Sequence, residues 1–234
     1  MIAKPWRRRS PTPQQYDELR RRLLAEIADE VARTKGYLGK AALDERVAAA
    51  LAKVPRERFV PAESAAAAYD NAPLPIGCGQ TISQPYIVAV MTDMLEPRAS
   101  DRVLEIGTGC GYQTAVLAEL VAEVYSVEIE RELSAEAASR LEALGYTNVE
   151  LRIGDGALGW PEAAPFDGII VTAAAARIPT ALLAQLKPGR RLVLPVGEAG
   201  GHQELTVVEK RADGTTRERE TLPVAFVPLR RTLR

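Results

Sequence analysis

Residues 102–111 constrain the fold more than any other stretch of the chain. Val103, Leu104 and Ile106 form a short apolar run that is typical of a buried parallel strand. Three glycines follow at alternate positions: Gly107, Gly109 and Gly111. An apolar-periodic stretch comes next, so the loop opens a helix whose free N–H groups face it. A strand, a glycine loop and a helix in this order are the architecture of a nucleotide-type cofactor site at the carboxyl end of a sheet strand.

The spacing of the glycines separates two classes of cofactor. A dinucleotide fingerprint is G-x-G-x-x-G. This chain has G-x-G-x-G preceded by Glu105, which resembles the first motif of S-adenosylmethionine-dependent methyltransferases. The alternative interpretation of this loop is purely structural: it would be a tight turn between a strand and a helix, and it would bind no ligand.

Acidic residues end the next two strand-like runs. Glu128 follows the first motif by about 20 residues. A carboxylate at this position accepts hydrogen bonds from the ribose hydroxyls of a dinucleotide or of S-adenosylmethionine. Gly154 and Asp155 follow the third run, where a methyltransferase commonly places an acid near the adenine. With both acids present, we predict S-adenosylmethionine as the cofactor. The cofactor residues are predicted to be Glu105, Gly107, Gly109, Gly111, Glu128, Gly154 and Asp155.

Composition excludes several other classes of protein. The 234 residues carry a formal net charge of −1, which argues against a nucleic-acid-coating protein, and no apolar run is long enough for a membrane span. Cys78 and Cys110 are too few for a disulfide framework and fit a reducing cytosol. His202 is the single histidine, so most metal sites and Ser-His-Asp arrangements are not expected. We therefore expect a cytoplasmic monomer without a metal, a membrane or a nucleic-acid partner.

The order of elements indicates one domain of α/β class. Residues 1–13 form a basic tail, residues 14–100 form N-terminal helices and a substrate loop, and residues 101–234 form the cofactor-binding core. From Asp101 onward, strands and helices alternate, which predicts a doubly wound, mostly parallel Rossmann-like sheet. Apolar and polar residues alternate after residue 203, which predicts an antiparallel edge at the C-terminal side of the sheet. A further strand is predicted over residues 224–229.

The stretch from Pro55 to Pro85 is dense in Pro and Gly, and it is too long and too apolar to be a mere connection. Ordered loops of this length are usually functional. Ser83 lies just before Pro85 and a helical pattern, so it is either the N-cap of that helix or an active-site group. The two roles are compatible because a capping serine sits where helix N–H groups converge.

The same stretch carries a resemblance to a known family. The segments Leu74-Pro75-Ile76-Gly77 and Gly79-Gln80-Thr81-Ile82-Ser83-Gln84-Pro85 resemble the signature of protein-L-isoaspartate O-methyltransferases. The later motifs follow in that family's order, and the resemblance covers roughly residues 54–229. The N-terminal extension departs from the pattern.

The resemblance implies methyl transfer from S-adenosylmethionine to the free α-carboxylate of L-isoaspartyl residues in damaged proteins. The methyl ester then closes to a succinimide, which reopens partly to normal aspartate. In this interpretation Ser83 holds the carboxylate. The other substrate-binding residues are Gln80, Thr81, Ile82, Ala174 and Ala175.

Two other functions stay open at this point. The chain could methylate another acceptor, although it lacks the Asn/Asp-Pro-Pro-Tyr/Phe string of many base methylases. It could also be a module that recognises isoaspartyl sites and recruits a partner through its N-terminal helix, with little turnover. The intact cofactor motifs favour an enzyme.

Overall fold

The computed structural model describes residues 11–198 and 200–231 of the chain. Within them there are seven α-helices and nine strands, and strands and helices alternate from β3 to β5 and again from β6 to β7, in the part of the chain after Asp101 where the sequence predicts alternation. The helices are α1 (Pro13–Arg33), α2 (Lys35–Leu38), α3 (Glu45–Lys53), α4 (Pro85–Leu95), α5 (Tyr112–Ala118), α6 (Arg131–Ala143) and α7 (Thr180–Gln185). The strands are β1 (Leu74–Gly77), β2 (Gln80–Ile82), β3 (Arg102–Ile106), β4 (Glu123–Glu128), β5 (Val149–Ile153), β6 (Phe166–Val171), β7 (Leu186–Gly197), β8 (Gln203–Lys210) and β9 (Thr216–Pro223).

The central sheet has seven strands in the order β5-β4-β3-β6-β7-β8-β9. Strands β3 to β7 run parallel, and β8 and β9 add an antiparallel edge. This confirms the predicted Rossmann-like class and its antiparallel edge. The chain order reverses between β3 and β6, and ligands bind at such a switch point in open α/β sheets.

Side chains of each central strand point alternately to two apolar layers. Val103 belongs to the apolar cluster that includes residues of α1, α3, α4 and α5, and Leu104 and Ile106 belong to a second cluster that includes Leu182 of α7. Glu105 therefore faces the same layer as Val103, since the period of a strand is two residues. This orientation determines which residues the Glu105 side chain can contact.

The N-terminal helices form a second layer over α4 and α5. Thr12 caps α1 through a capping box with Gln15, and Pro13 is the first helical residue. Leu23, Ile27 and Val31 are buried on its inner face. The predicted basic tail, apart from its last three residues, lies outside the described residues.

Two boundaries differ from the sequence prediction. The apolar periodicity predicts a helix over residues 111–122, but α5 ends at Ala118, and residues 224–229 do not form the predicted strand. Pro228 lacks the N–H group that a ladder needs, and the bridge in this segment is an isolated one between Pro228 and Ala174.

No helix in the described part of the chain is long and apolar enough to cross a bilayer.

Candidate active site

The glycine loop lies at the switch point between β3 and β6. Gly107 has φ +95°, and a Cβ at this position would lie 2.4 Å from Oγ1 of Thr172, the residue after β6. The Thr172 hydroxyl donates to the carbonyl of Gly107 at 2.7 Å, which joins the two strand ends. Glycine is required at 107 because both the left-handed backbone and this close approach exclude a side chain.

Glu128 fixes the other end of the glycine loop. Its Oε2 accepts the N–H of Gly109 at 2.7 Å, and its Oε1 accepts the N–H groups of Ile129 and Glu130 at 2.9 and 3.0 Å. The side chain is 6% exposed and lines the cleft above the loop. The structure therefore places the predicted ribose acid directly beside the predicted cofactor loop.

Glu105 lies beneath the loop and does not line the cleft. Its Oε2 accepts the hydroxyls of Thr114 on α5 and Ser126 on β4, at 2.5 and 2.6 Å, and Ser126 also shares a hydrogen bond with Thr108 of the loop. Burial raises the pKa of Glu105 to about 8, against an ordinary value of 4.5. Glu105 supports the glycine loop from below, and a contact from Glu105 to the cofactor stays a prediction.

The raised pKa of Glu105 predicts a pH-dependent stability. Between about pH 4.5 and pH 8 the folded protein keeps a proton that the unfolded chain loses, so the free energy of unfolding falls as the pH rises through this window. Glu105→Gln cannot ionise, and we expect it to lose less stability, by on the order of 1–3 kcal/mol, between pH 5 and pH 9. Denaturant melts of both proteins at several pH values measure the difference. Parallel pH profiles would show that Glu105 does not titrate in this window.

The third strand end contributes less to the cleft than the sequence suggests. Asp155 caps a short 3-10 turn by accepting the N–H of Ala157 at 2.9 Å, and Arg231 lies 3.5 Å from its other oxygen. Gly156, rather than Gly154 or Asp155, lines the cleft. A contact from Asp155 to the cofactor stays a prediction.

A cleft of about 750 Å³, which we call the glycine-loop cleft, opens above these residues. Its floor is formed by Gly107, Gly109 and Glu128, and Ile106, Val127 and Ile129 give it an apolar side. Gly111 lies outside it, because this residue is the N-cap of α5 and packs against Ala137 of α6. The cleft thus combines an apolar wall with a buried carboxylate and a glycine backbone.

The hairpin of β1 and β2 forms the opposite wall. Gln80, Thr81 and Ile82 of β2 line the glycine-loop cleft together with Ser83. Ser83 is not a helix cap: the N-cap of α4 is Gln84, and no side chain caps this helix. Pro85 begins the helix one position later than a cap at Ser83 would require, which leaves the Ser83 hydroxyl free of that role.

A second depression, the adjoining groove, also borders Ser83 and has a volume of about 980 Å³ that includes its opening to solvent. Pro73, Ile87 and Phe226 are among its mostly apolar lining residues. Four residues line both spaces: Thr81, Ser83, Thr172 and Val227. Three of the four carry hydroxyl groups, but the Thr172 hydroxyl already donates to the carbonyl of Gly107. Thr81 and Ser83 are therefore the neutral hydrogen-bond donors at the junction between the two spaces.

The segment 224–231, which we call the C-terminal strap, completes both spaces. Ala174 uses its N–H and its carbonyl to bind the strap at Val227 and Leu229, both at 2.8 Å. Ala175 is bound by Pro195 and Gly197 of β7. Neither alanine lines either space, and the strap occupies the place that the sequence prediction gave to a bound peptide along them. Ala173 lines the glycine-loop cleft instead.

The strap is anchored over the cleft by charge. Arg230 pairs with Glu130 and donates to the carbonyl of Cys78 on the hairpin at 3.4 Å. Sequence reasoning missed the strap, which is distant in the chain and carries no motif. It also missed Thr172, although the end of β6 meets the glycine loop by the same strand-end rule that found Glu128.

The surroundings of both cysteines disfavour the thiolate form. Burial raises the pKa of Cys110, and burial together with Glu132 raises the pKa of Cys78. Both thiols are therefore kept in the unreactive protonated form. Among the described residues, no group of three or more His, Cys, Asp or Glu side chains could hold a metal ion.

Comparison with known proteins agrees with this geometry. Residues 33–233 match the family model of protein-L-isoaspartate(D-aspartate) O-methyltransferase. The chain is 58% identical over 214 residues to protein-L-isoaspartate O-methyltransferase 2 of Syntrophobacter fumaroxidans, covering 92% of this chain and 87% of that protein. It is 56% identical over 207 residues to the protein of the same name from Polaromonas sp., covering 88% and 98%.

Solved structures share the whole fold. A protein-L-isoaspartate O-methyltransferase superposes with a TM-score of 0.78 at 28% identity, covering 92% of this chain and 67% of that one. The Plasmodium falciparum protein described as a putative protein-L-isoaspartate O-methyltransferase in complex with S-adenosyl-L-homocysteine gives 0.75 at 20% identity, covering 93% and 99%. The glycine loop, the hairpin signature and these matches together show that the chain belongs to the protein-L-isoaspartate(D-aspartate) O-methyltransferase family.

Proposed function

We propose that this chain transfers a methyl group from S-adenosylmethionine to the free α-carboxylate of L-isoaspartyl residues, and that Ser83 orients the carboxylate. One observation carries the role of Ser83: it lies on the wall shared by the glycine-loop cleft and the adjoining groove. A group held there can face a cofactor on one side and a peptide on the other.

The glycine-loop cleft suits S-adenosylmethionine. Glu128 presents a buried carboxylate beside the loop, and Gly107 and Gly109 present backbone without side chains. These residues would hold the cofactor, which supplies an activated methyl on a sulfonium and leaves as a neutral thioether. Ile106, Val127 and Ile129 form the apolar side of the cleft, which suits the uncharged part of S-adenosylmethionine.

The chain needs no general base for this reaction. A main-chain-type carboxyl has a pKa of about 3.5, so at neutral pH the acceptor is already ionised. The work of the protein is then to position the acceptor oxygen and to exclude water. Ser83 donates a hydrogen bond to the carboxylate, and Thr81 supplies a further hydroxyl at the same junction. The strap covers the cleft from the solvent side.

The adjoining groove is proposed to receive the peptide. Its apolar lining and its position next to the hairpin suit an extended segment that carries the isoaspartyl residue into the junction. In this scheme residues 14–100 supply Ser83 and the hairpin wall of the acceptor side. Residues 101–234 supply the cofactor side and, through Thr172 and the strap, the rest of the acceptor side of one domain. The monomeric state, the cytoplasmic location and the lack of a nucleic-acid partner stay predictions.

The other functions gain less support. Hydroxyl acceptors would need a base at the junction, where the side chains shared by both spaces are Thr81, Ser83, Thr172 and Val227. A recruitment module would have no use for a glycine loop held by Glu128. Methyl transfer followed by succinimide closure fits the family's role in protein repair.

The decisive experiment is incubation with labelled S-adenosylmethionine and an isoaspartyl peptide, beside the same peptide with a normal aspartyl linkage. We expect base-labile label in the isoaspartyl peptide alone. Equal labelling of both peptides would contradict the substrate assignment, and peptide binding without any label would favour the recruitment module.

A further inference from the structure

Arg56 is a completely buried arginine without an acidic partner. It begins a 3-10 turn after Val54-Pro55 and is 0% exposed. Among the described residues no carboxylate lies within salt-bridge distance of it, whereas the nearby Arg20 lies 3.7 Å from Glu57. Buried charges in proteins are normally paired, so an unpaired one calls for a reason.

The guanidinium joins the segments that surround the acceptor site. Nε donates to the carbonyl of Ala68 at 2.9 Å, and Nη2 donates to the carbonyl of Ser83 at 2.8 Å and reaches that of Ala72 at 3.5 Å. The planar group also lies 4.9 Å from the ring centroid of Tyr112, the first residue after the glycine loop. Arg56 thus ties the Ser83 backbone to the start of α5.

The positive charge of Arg56 is only partly compensated. Its acceptors are neutral carbonyls, and the fully buried Nη1 has no hydrogen-bond partner in the described part of the chain. Burial lowers the pKa of Arg56, but a guanidinium starts from so high a value that it stays protonated at neutral pH. The buried guanidinium of Arg56, which lies next to the Ser83 backbone, therefore keeps a positive charge in a place that is shielded from water.

We propose that Arg56 is a positioning residue that fixes Ser83 for methyl transfer and that its unpaired charge makes the site select an anionic acceptor. The proposal rests on the proposed function and deepens it. Arg56 acts through the Ser83 backbone and through its field, since it does not line either space. An acceptor carboxylate at the Ser83 hydroxyl would be the counter-charge that the fold itself omits.

The two parts of this role affect different kinetic constants. The negative charge of the carboxylate disappears as the methyl is transferred, so attraction to Arg56 is stronger before the reaction than at its transition state. Such an interaction lowers KM without raising kcat. The planar guanidinium donates in fixed directions to the carbonyls of Ala68 and Ser83, and we call this pair of hydrogen bonds the fork. The fork holds Ser83 in place, so its loss lowers kcat.

The test compares two peptides and two variants. Binding is measured by calorimetry with saturating S-adenosylhomocysteine, for an isoaspartyl peptide and for its twin in which the α-carboxylate is a carboxamide. We expect the wild type to prefer the carboxylate by about tenfold or more, and Arg56→Met to reduce this preference to about threefold or less. Arg56→Lys keeps the charge and loses the fork, so we expect it to keep the preference while kcat falls about tenfold.

A structural role alone predicts another pattern. If Arg56→Met weakens binding of both peptides equally and the preference is unchanged, the charge does not select the acceptor. Arg20→Met is the matched control, because it removes an arginine of the same layer whose charge is already paired with Glu57. We expect it to lower the melting temperature and to leave the preference unchanged.

The outcomes separate this proposal from the proposed function. Should Arg56→Met fail to bind S-adenosylhomocysteine, Arg56→Lys carries the test alone: a wild-type kcat or a lost preference in that variant would overturn the proposal. Absence of methyl transfer by the wild type would instead overturn the proposed function. Normal transfer with an unchanged preference in Arg56→Met overturns only the role of Arg56.

Discussion

Ser83→Ala is expected to lower kcat on an isoaspartyl peptide by about 10- to 1000-fold, a loss of about 1.4–4 kcal/mol in transition-state stabilisation. The serine lies at the junction of the glycine-loop cleft and the adjoining groove, and it does not cap α4. Because no cap is lost, the melting temperature should change little. Cofactor affinity should also be preserved, since the glycine loop and Glu128 are untouched.

Single-turnover methyl transfer at saturating S-adenosylmethionine measures this effect, alongside a thermal melt. Ser83→Thr keeps the hydroxyl but crowds the junction, so an intermediate rate is expected. Thr215→Ala, a change in the hairpin turn before β9, provides a control far from the site. An unaltered rate in Ser83→Ala would show that the Ser83 hydroxyl takes no part in the reaction. Thr81 and Thr172, the other hydroxyl-bearing residues at the junction, would then be substituted in the same way.

Glu128→Ala is expected to weaken cofactor binding by about 1.5–3 kcal/mol, or about 10- to 150-fold in dissociation constant. The variant loses the carboxylate predicted to accept the ribose hydroxyls. It also leaves the N–H groups of Gly109, Ile129 and Glu130 without their present acceptor, so the loop itself loses support. Both effects act in the same direction.

Calorimetric titration with S-adenosylhomocysteine measures the loss. Glu142→Ala on α6 is the matched control, because that glutamate is exposed and lies outside the cleft. Glu128→Gln keeps an acceptor oxygen for the loop and should bind more tightly than Glu128→Ala. A wild-type dissociation constant for Glu128→Ala would exclude the residue from the cofactor site.

Local patterns were sufficient for the frame of this protein. Short apolar runs followed by glycine or an acid predicted β3 and β4, because a buried parallel strand needs a mostly apolar sequence and ends where the backbone turns. Alternating apolar residues before Gly154 predicted β5, which is the half-exposed edge strand. The glycine spacing and Glu128 predicted the cofactor side. The hairpin string at 80–85 predicted the acceptor side through a family resemblance.

Contacts between distant segments decided the rest. The strap reaches the cleft only because Ala174 binds Val227 and Leu229, and no pattern within 224–231 announces that pairing. Glu105 belongs to the glycine motif in sequence, yet the alternation along β3 turns it away from the cleft toward Thr114 and Ser126. No local pattern marks Arg56, whose burial follows from its contacts with Ala68 and Ser83.

The sequence by itself determined the fold class, the family and the two stretches that face each other across the site, since strand periodicity and short motifs are local properties of a chain. The tertiary structure alone decided which residues of those stretches reach the cleft, what covers it, and where a charge is left unpaired. Those features depend on side chains that are brought together from segments 27 to 152 residues apart, as in the bonds from Arg56 to Ser83 and from Arg230 to Cys78.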